Sequence, residues 1–157
     1  MAFTLTSTGF TDGGTLPDAQ VQAGGNRSPQ LGWSGAPEGT RSFAVTCFDP
    51  DAPTGSGFWH WTVANLPADV AELAEGASPS GLPKGAVEGR TDFGTPGFGG
   101  AAPPKGHGPH RYIFTVFAVG TERLNVTSEN SGAIFGFNLH FNTLAKASIT
   151  GVYEDRA

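Results

Sequence analysis

The sequence predicts a single, mainly β domain over residues 1–157, with one or two short helices. Three segments, 41–49, 59–66 and 110–119, are rich in the aromatic and β-branched residues typical of strands. The 24 glycines and 12 prolines occur without a repeat or a polar tract, so they indicate turns and long loops rather than disorder. Only one segment, near the C-terminus, spaces its apolar residues as a helix does.

The first half of the chain contains the predicted central strand. Phe3–Ser7 alternates apolar and polar residues, which predicts a half-buried strand. Leu31 and Trp33 then offer two apolar anchors on one side of a segment interrupted by Pro and Gly. Arg41–Asp49 is apolar on both of its faces, with Phe43, Val45 and Cys47 on one and Ala44 and Phe48 on the other. A strand of this kind is expected to be covered on both sides.

The second predicted strand, 59–66, ends at a proline, and an irregular segment follows it over 68–109. Gly or Pro recurs there every two or three residues through much of its length, and so long a loop in a compact domain is usually functional or disordered. Phe93 and Phe98 within it indicate that it packs against the domain. The third predicted strand, 110–119, carries the strongest pattern of the three.

The C-terminal part of the chain is predicted to form a helix and a final strand. The helix is indicated by residues that recur at helical spacing: Ile134, Phe137, Phe141 and Leu144. Ser128 or Ser131 could cap its start. The segment "ASITGVYE" at 147–154 is expected to be the last strand.

Charge and composition exclude several classes of function. A net charge of -5 and a pI near 5.2 offer no basic face for nonspecific nucleic-acid binding or for adhesion to an anionic membrane. A single lipid headgroup in a pocket stays compatible with this charge. No apolar run approaches the roughly 18 residues of a membrane-spanning helix. The N-terminus lacks the pattern of a signal peptide, so we expect a cytoplasmic protein.

Polar residues mark the ends of the three strong strands. Asp49 ends the first strand, and His60 and His110 each begin a strand after a loop of Pro and Gly. If the first strand runs antiparallel to the other two, all three side chains lie at the same edge of one sheet. Tyr112 shares the face of His110 because alternate residues of a strand point the same way. Which of the two histidines pairs with Asp49 stays open.

Strand alternation also predicts where other residues point. His60 should share a face with Thr62 and Ala64 and face away from Trp59 and Trp61. Arg111, which points opposite to His110, is expected to form a structural salt bridge. Away from the strand ends, His107 is interpreted as a solvated loop residue, His140 as a polar helix position and Cys47, the one cysteine, as a small buried hydrophobe.

These residue types suit a small anion. Imidazoles and a phenol donate hydrogen bonds to phosphate or carboxylate oxygens, and the backbone N–H of Gly106 or Gly108 could add donors. At about 1.5–3 kcal/mol for each charge-assisted bond, a weak site in roughly the millimolar to micromolar range is expected. A less favoured alternative is a metal-dependent hydrolase, because Asp49, His60 and His110 have the composition of a two-histidine, one-carboxylate metal site.

Several motifs in order resemble the signature blocks of the phosphatidylethanolamine-binding protein family. They are "SPQLGW" at 28–33, "DPDAP" at 49–53, "HW" and "VANLP" within 60–67, "GGAAPPKG" at 99–106 and "GHGPHRYIFTVFA" at 106–118. The C-terminal "GFNLHFNTLAKASITGVY" resembles the bacterial branch, often labelled Raf kinase inhibitor-like. The resemblance covers nearly the whole chain and implies a β-sandwich of two sheets with short helices.

The resemblance also implies a function and a site. It implies a non-enzymatic binding or regulatory protein, without a cofactor or a metal, whose pocket takes phosphate-like groups such as a phospholipid headgroup. The positions that match the family's pocket are Asp49, Asp51, Pro53, His60, Gly108, His110 and Tyr112. The alternative that it leaves open is inhibition of a kinase or protease through a protein surface. Relatives in the bacterial branch imply a homodimer. Ala101, Ala102 and Trp59 depart from the pattern of many relatives.

Overall fold

The computed structural model describes residues 2–156 and contains two β-sheets and one α-helix. The strands are β1 (Thr4–Thr6), β2 (Leu31–Ser34), β3 (Ser42–Asp49), β4 (Phe58–Pro67), β5 (Glu72–Leu73), β6 (Val87–Glu88), β7 (His110–Val119) and β8 (Thr143–Tyr153). The α-helix, α1, spans Gly132–Asn142, and a short 3-10 helix spans Asp18–Gln20. The predicted mainly β architecture of two sheets with short helices is confirmed.

The order of the strands brings the polar strand ends together. The smaller sheet has the order β1-β2-β5, and the larger sheet has the order β6-β4-β3-β7-β8. Strand β3 is central and pairs antiparallel with both β4 and β7. The end of β3 at Asp49 therefore lies beside the starts of β4 and β7, as the sequence predicted.

Apolar side chains cover both faces of the larger sheet. One cluster joins the two sheets and includes buried residues from each of them, among them Leu31, Trp33, Val45, Trp61 and Phe114. A second cluster lies between the larger sheet and α1 and includes Ala44, Ala64, Phe135 and Leu139. Strand β3 is therefore covered on both sides, which explains why it is apolar on both faces.

The helix forms where the sequence predicted it, but its apolar stripe faces solvent. Ser131 is the N-cap, and its hydroxyl accepts a hydrogen bond from the Ile134 N–H at 3.4 Å. The side chains of Ile134, Phe137 and Phe141 are 43%, 65% and 69% exposed. The helix instead buries Phe135 and Leu139, one turn apart. Periodicity detects a helix, but it cannot tell which of two apolar faces will find a partner.

The last strand begins earlier than predicted. Strand β8 starts at Thr143, directly after α1, and not at residue 147. Leu144, which was assigned to the helical stripe, therefore lies on β8 and is 50% exposed. Long pairing with β7, from Thr143 opposite Val119 to Tyr153 opposite His110, overrides the helical pattern of this segment.

The irregular segment 68–109 contains two short strands, β5 and β6, and otherwise consists of turns and loops. Phe98 within it packs against the inter-sheet cluster, as expected from the sequence. In the part of the chain that the structure describes, no helix has the length and apolarity needed to cross a membrane.

Candidate functional site

A small cavity lies where β3 ends and where β4 and β7 begin. Its volume is about 230 Å³, and its lining residues are Asp49, Ala52, Pro53, Thr54, Phe58, His60, Phe93, Ala102, Pro104 and His110. A larger surface cavity of about 590 Å³, near Arg41 and Pro67, lies at the opposite ends of these strands. We place the candidate site in the smaller cavity because buried titratable groups converge there.

Asp49 pairs with His110 at the floor of this cavity. Both side chains are buried, and His110 Nδ1 lies 2.7 Å from Asp49 Oδ2. The other carboxylate oxygen, Oδ1, accepts a hydrogen bond from the Asp51 backbone N–H at 2.7 Å. Since an ionised carboxylate only accepts hydrogen bonds, His110 Nδ1 carries a proton. The structure therefore answers the open question of which histidine pairs with Asp49.

His60 reaches the cavity because of a β-bulge. Cys47 pairs with Trp61 but the next residue of β3 pairs with Trp59, so His60 is an extra residue on β4. Its ring contacts that of Tyr112, with centroids 5.2 Å apart, and Tyr112 belongs to the inter-sheet cluster together with Trp61. Such a bulge re-aims a side chain and breaks simple alternation.

The predicted orientation of His60 was therefore wrong. Ala64, which was expected to share its face, packs with Phe135 under α1 on the other side of the sheet. Trp59 also lies on the helix side, where a β-carbon at Gly132 would overlap its ring. His60 thus faces away from Trp59, as predicted, but lies on the same side of the sheet as Trp61.

His60 is held as a neutral ring. Its Nδ1 lies 2.8 Å from the Gly99 carbonyl oxygen, which can only accept, so Nδ1 is the donor. Burial lowers the pKa of His60, and this effect outweighs the opposing influence of the Gly99 carbonyl and the Asp49 charge. The neutral ring then offers a lone pair at Nε2 rather than a second N–H.

Tyr112 lies behind the two histidines. Its ring centroid is 5.2 Å from that of His60 and 6.5 Å from that of His110. Burial, and secondarily the Asp49 charge, raise the pKa of Tyr112, so it stays a phenol. Its buried hydroxyl makes no hydrogen bond of good geometry to any described residue. The Ala102 backbone lies close enough to lower the pKa of Tyr112 slightly, which only partly offsets the effect of burial.

Asp51 faces Arg111 and does not line the cavity. Its Oδ2 accepts hydrogen bonds from the Arg111 backbone N–H at 2.9 Å and from Nε at 3.0 Å, and its Oδ1 accepts from Nη2 at 2.9 Å. The hydrogen bond from the Arg111 side chain lowers the pKa of Asp51. The predicted salt bridge of Arg111 is therefore present and ties the acidic turn to β7. A ligand-binding role for Asp51 stays a prediction.

The loop before β7 brings a further histidine to the site. His107 Nδ1 lies 2.7 Å from His110 Nε2, so His107 is more than the solvated loop residue that we expected, although its ring is exposed. Gly106 and Gly108 flank it with φ of 73° and 97°, a backbone region that favours glycine. The Gly106 N–H donates to the Asp155 carbonyl at 2.7 Å, so this predicted backbone donor is already engaged.

The sequence contained a signal for His107 that our reasoning did not use. His107 and His110 are three residues apart and stand where a glycine-rich loop enters a strand. A turn at that point can bring two such side chains together, but only the tertiary structure shows the contact. Gly108 lies between them and, like Tyr112, is absent from the cavity lining, so its binding role stays a prediction.

The site offers little support for nucleophilic or metal chemistry. Cys47 is buried, and burial, followed by the charge of Asp49, raises the pKa of its thiol well above the ordinary value. The Thr54 hydroxyl donates to the Gly57 carbonyl at 2.6 Å. Within residues 2–156, no three or more His, Cys, Asp or Glu side chains are arranged so that they could hold a metal ion.

Comparison with known proteins gives a consistent family likeness. A family model described as phosphatidylethanolamine-binding protein matches residues 6–154. The UPF0098 protein YbcL of Escherichia coli is 54% identical over 98% of this chain and 88% of its own length. The UPF0098 protein YbhB of the same organism is also 54% identical, over 96% of this chain and 99% of its own length.

Solved structures agree with this result. The crystal structure of E. coli YbcL, described as a new member of the mammalian PEBP family, superposes with a TM-score of 0.97 at 52% identity and covers 99% of this chain and 100% of that one. A putative phosphatidylethanolamine-binding protein homologue, CT736 of Chlamydia trachomatis, has a TM-score of 0.85 at 29% identity and covers 98% of each chain.

Proposed function

Because this chain belongs to the phosphatidylethanolamine-binding protein family, we propose that it is a non-enzymatic binding protein whose cavity takes a phosphate-like anion. The proposed ligand is a phosphoryl group, either free or at the end of a larger molecule such as a phospholipid headgroup. The residues that we propose to bind it are His60 and His110 at the floor, Tyr112 behind them, and Gly108 at the loop.

One observation carries this proposal: a buried imidazole is held by a buried carboxylate at the floor of a small cavity. Asp49 holds the ring of His110 in one orientation, which lowers the entropy cost of binding a ligand. The walls are largely apolar and include Pro53, Phe58 and Phe93. Hydrogen bonds in such surroundings are stronger than in water. A cavity of about 230 Å³ suits a headgroup rather than a whole phospholipid.

The absence of an activated nucleophile at the cavity favours binding over catalysis. In the described chain, the hydroxyl of Thr54 is engaged with a backbone carbonyl, and the thiol of Cys47 is held protonated by burial. The kinase- or protease-inhibitor alternative depends on a partner surface and not on this cavity.

His110→Ala is expected to weaken binding of inorganic phosphate by about ten-fold or more, because it removes the imidazole that links Asp49 to His107 at the cavity floor. The measurement is a heteronuclear NMR titration of wild type and variant, first with phosphate and then with O-phosphoethanolamine. In wild type, the shifts should be confined to Asp49, His60, Gly108, His110 and Tyr112.

His140→Ala is the matched control, since His140 is an exposed histidine on α1. It should bind phosphate as wild type does. If wild type shows no shifts at the cavity residues even at high millimolar phosphate, the cavity is not an anion site, and the proposal is wrong. A stronger response to phosphoethanolamine than to phosphate would point to a headgroup as the source of the phosphoryl group.

We further propose that the chain forms a homodimer through the exposed face of α1. Phe137 and Phe141 contact each other edge to face, with centroids 5.2 Å apart, and both are more than 60% exposed. Leu144, 50% exposed, follows α1 on β8, the edge strand of the larger sheet. Large exposed apolar side chains that pack on each other usually mark an interaction site. We propose a second copy of this chain as the partner, because the same apolar surface on two chains can be buried by contact between them.

Phe141→Glu is expected to convert a dimer to a monomer, since it places a charge in the centre of the proposed contact. The measurement is the molar mass in solution, from light scattering coupled to size exclusion, over a range of concentrations. Ser80→Glu, which adds the same charge to an exposed loop, should leave the mass unchanged. A wild-type chain that is monomeric at all concentrations would refute the dimer and leave this face for a partner protein.

A further inference from the structure

His107 extends the buried pair into a chain of three side chains. Asp49 Oδ2 lies 2.7 Å from His110 Nδ1, and His110 Nε2 lies 2.7 Å from His107 Nδ1. The two imidazole rings contact each other edge to face, with centroids 4.9 Å apart. His110 is buried and His107 is exposed, so the chain runs from the protein interior to the surface.

The protons of this chain can be placed from its partners. Asp49 accepts a hydrogen bond from the Nδ1–H of His110, so a neutral His110 has a lone pair at Nε2. His107 Nδ1 must then be the donor between the two rings. A neutral His107 of this tautomer has its second lone pair at Nε2. With both rings neutral, neither histidine presents an N–H to an anion.

The other groups of the site do not supply that donor. The Nδ1–H of His60 is engaged with Gly99, and its Nε2 also carries a lone pair. Asp49 adds a negative charge at the cavity floor. When both histidines of the pair are neutral, the site therefore faces a bound dianion with nitrogen lone pairs and a carboxylate. The buried hydroxyl of Tyr112 would then be the main side-chain hydrogen-bond donor to that dianion.

One added proton changes this arrangement. If it is placed on the His107–His110 pair, the two rings hold three N–H groups: one donates to Asp49, one joins the two rings, and one is on Nε2 of His107. The pair then carries a positive charge, and the N–H on Nε2 of His107 is not used within the pair and is available to a ligand. The Asp49 carboxylate stabilises that charge from the interior side.

His107 does not line the cavity but bonds to His110, which does. We infer that His107 is a further ligand-binding residue beside this cavity and that the site takes up one proton, held by the His107–His110 pair, with each dianion that it binds. This inference rests on the proposed anion-binding function. Titratable and charged groups surround the pair on several elements. On the strands they are Asp49 (β3), His60 (β4), Tyr112 (β7) and Tyr153, which lies opposite His110 on β8. The others are Asp51 and Arg111, which form an ion pair, and Lys105 and Asp155 beside the loop.

Inorganic sulfate is the probe, because it stays a dianion throughout the range in which histidines titrate, whereas phosphate changes its own charge there. Wild-type affinity for sulfate should fall by about ten-fold for each pH unit on the alkaline side of that range, as expected for uptake of one proton. Calorimetry in two buffers of different ionisation enthalpy should show uptake of about one proton per sulfate near pH 8.

His107→Gln tests the residue itself. Glutamine can still donate to His110 Nε2, but it cannot hold a proton. We expect sulfate affinity near pH 5.5 to fall by about ten-fold relative to wild type. His140→Gln, which removes an exposed histidine from α1, should leave the affinity unchanged. Imidazole ¹⁵N shifts of wild type, with and without sulfate, would report protonation of His107 and His110 directly.

The outcomes separate the two proposals. Binding of sulfate that is equal at acid and alkaline pH, or equal in wild type and His107→Gln, would overturn this inference and leave the proposed function intact. Failure of wild type to bind either sulfate or phosphate at any pH would overturn the proposed function and this inference with it.

Discussion

Phe135→Ala is expected to lower the free energy of unfolding by about 3–5 kcal/mol, the usual cost of removing a buried phenylalanine ring. Phe135 is fully buried between α1 and the larger sheet, in a cluster that includes Ala44, Ala64 and Leu139. A β-carbon at Gly89 would overlap its ring, so the site is tightly packed. Unfolding by urea, followed by circular dichroism, measures the change.

Phe137→Ala is the matched control on the same helix. It removes the same ring from a position that is 65% exposed, so at low chain concentration the loss should be within about 0.5 kcal/mol. A loss that grows with chain concentration would belong to the proposed dimer contact and not to packing within the chain. If Phe135→Ala and Phe137→Ala lowered the free energy of unfolding equally, α1 would not bury the face that contains Phe135.

Asp49→Ala is expected to cost about 3–5 kcal/mol of stability and to abolish the phosphate response of the cavity. The substitution removes the acceptor of two hydrogen bonds, from His110 Nδ1 and from the Asp51 N–H, and leaves the buried Nδ1–H of His110 without a partner. The imidazole also loses its fixed orientation. Urea unfolding and the phosphate titration by NMR, performed on the same sample, measure both effects.

Asp51→Ala separates the buried carboxylate from its neighbour in the same turn. Asp51 pairs with Arg111, whose side chain is 57% exposed, so removing this pair should cost no more than about 1 kcal/mol. A larger loss for Asp51→Ala than for Asp49→Ala would show that the surface pair, and not the buried one, holds the turn. An Asp49→Ala protein that keeps the wild-type phosphate shifts would exclude His110 orientation as a basis of binding.

Local rules account for the parts of the site that could be predicted. Asp49, His60 and His110 were placed at one sheet edge because Pro and Gly mark the strand ends and antiparallel neighbours bring those ends together. Tyr112 followed from strand alternation alone. Alternation failed at His60, because a β-bulge adds one residue to β4, and nothing in the pattern of apolar residues there reveals it.

The sequence by itself determined the mainly β class, the three strong strands, the position of α1 and the strand-end residues of the candidate site. These features depend on neighbours in the chain, through alternation, helical spacing and turn residues. Only the tertiary structure decided that Asp49 pairs with His110, that His107 bonds to the same ring, and that α1 buries Phe135 and exposes Phe137. Each of these features depends on contacts between segments that are distant in the sequence. Strand alternation and helical spacing do not distinguish between the possible contacts, and tertiary packing selects one of them.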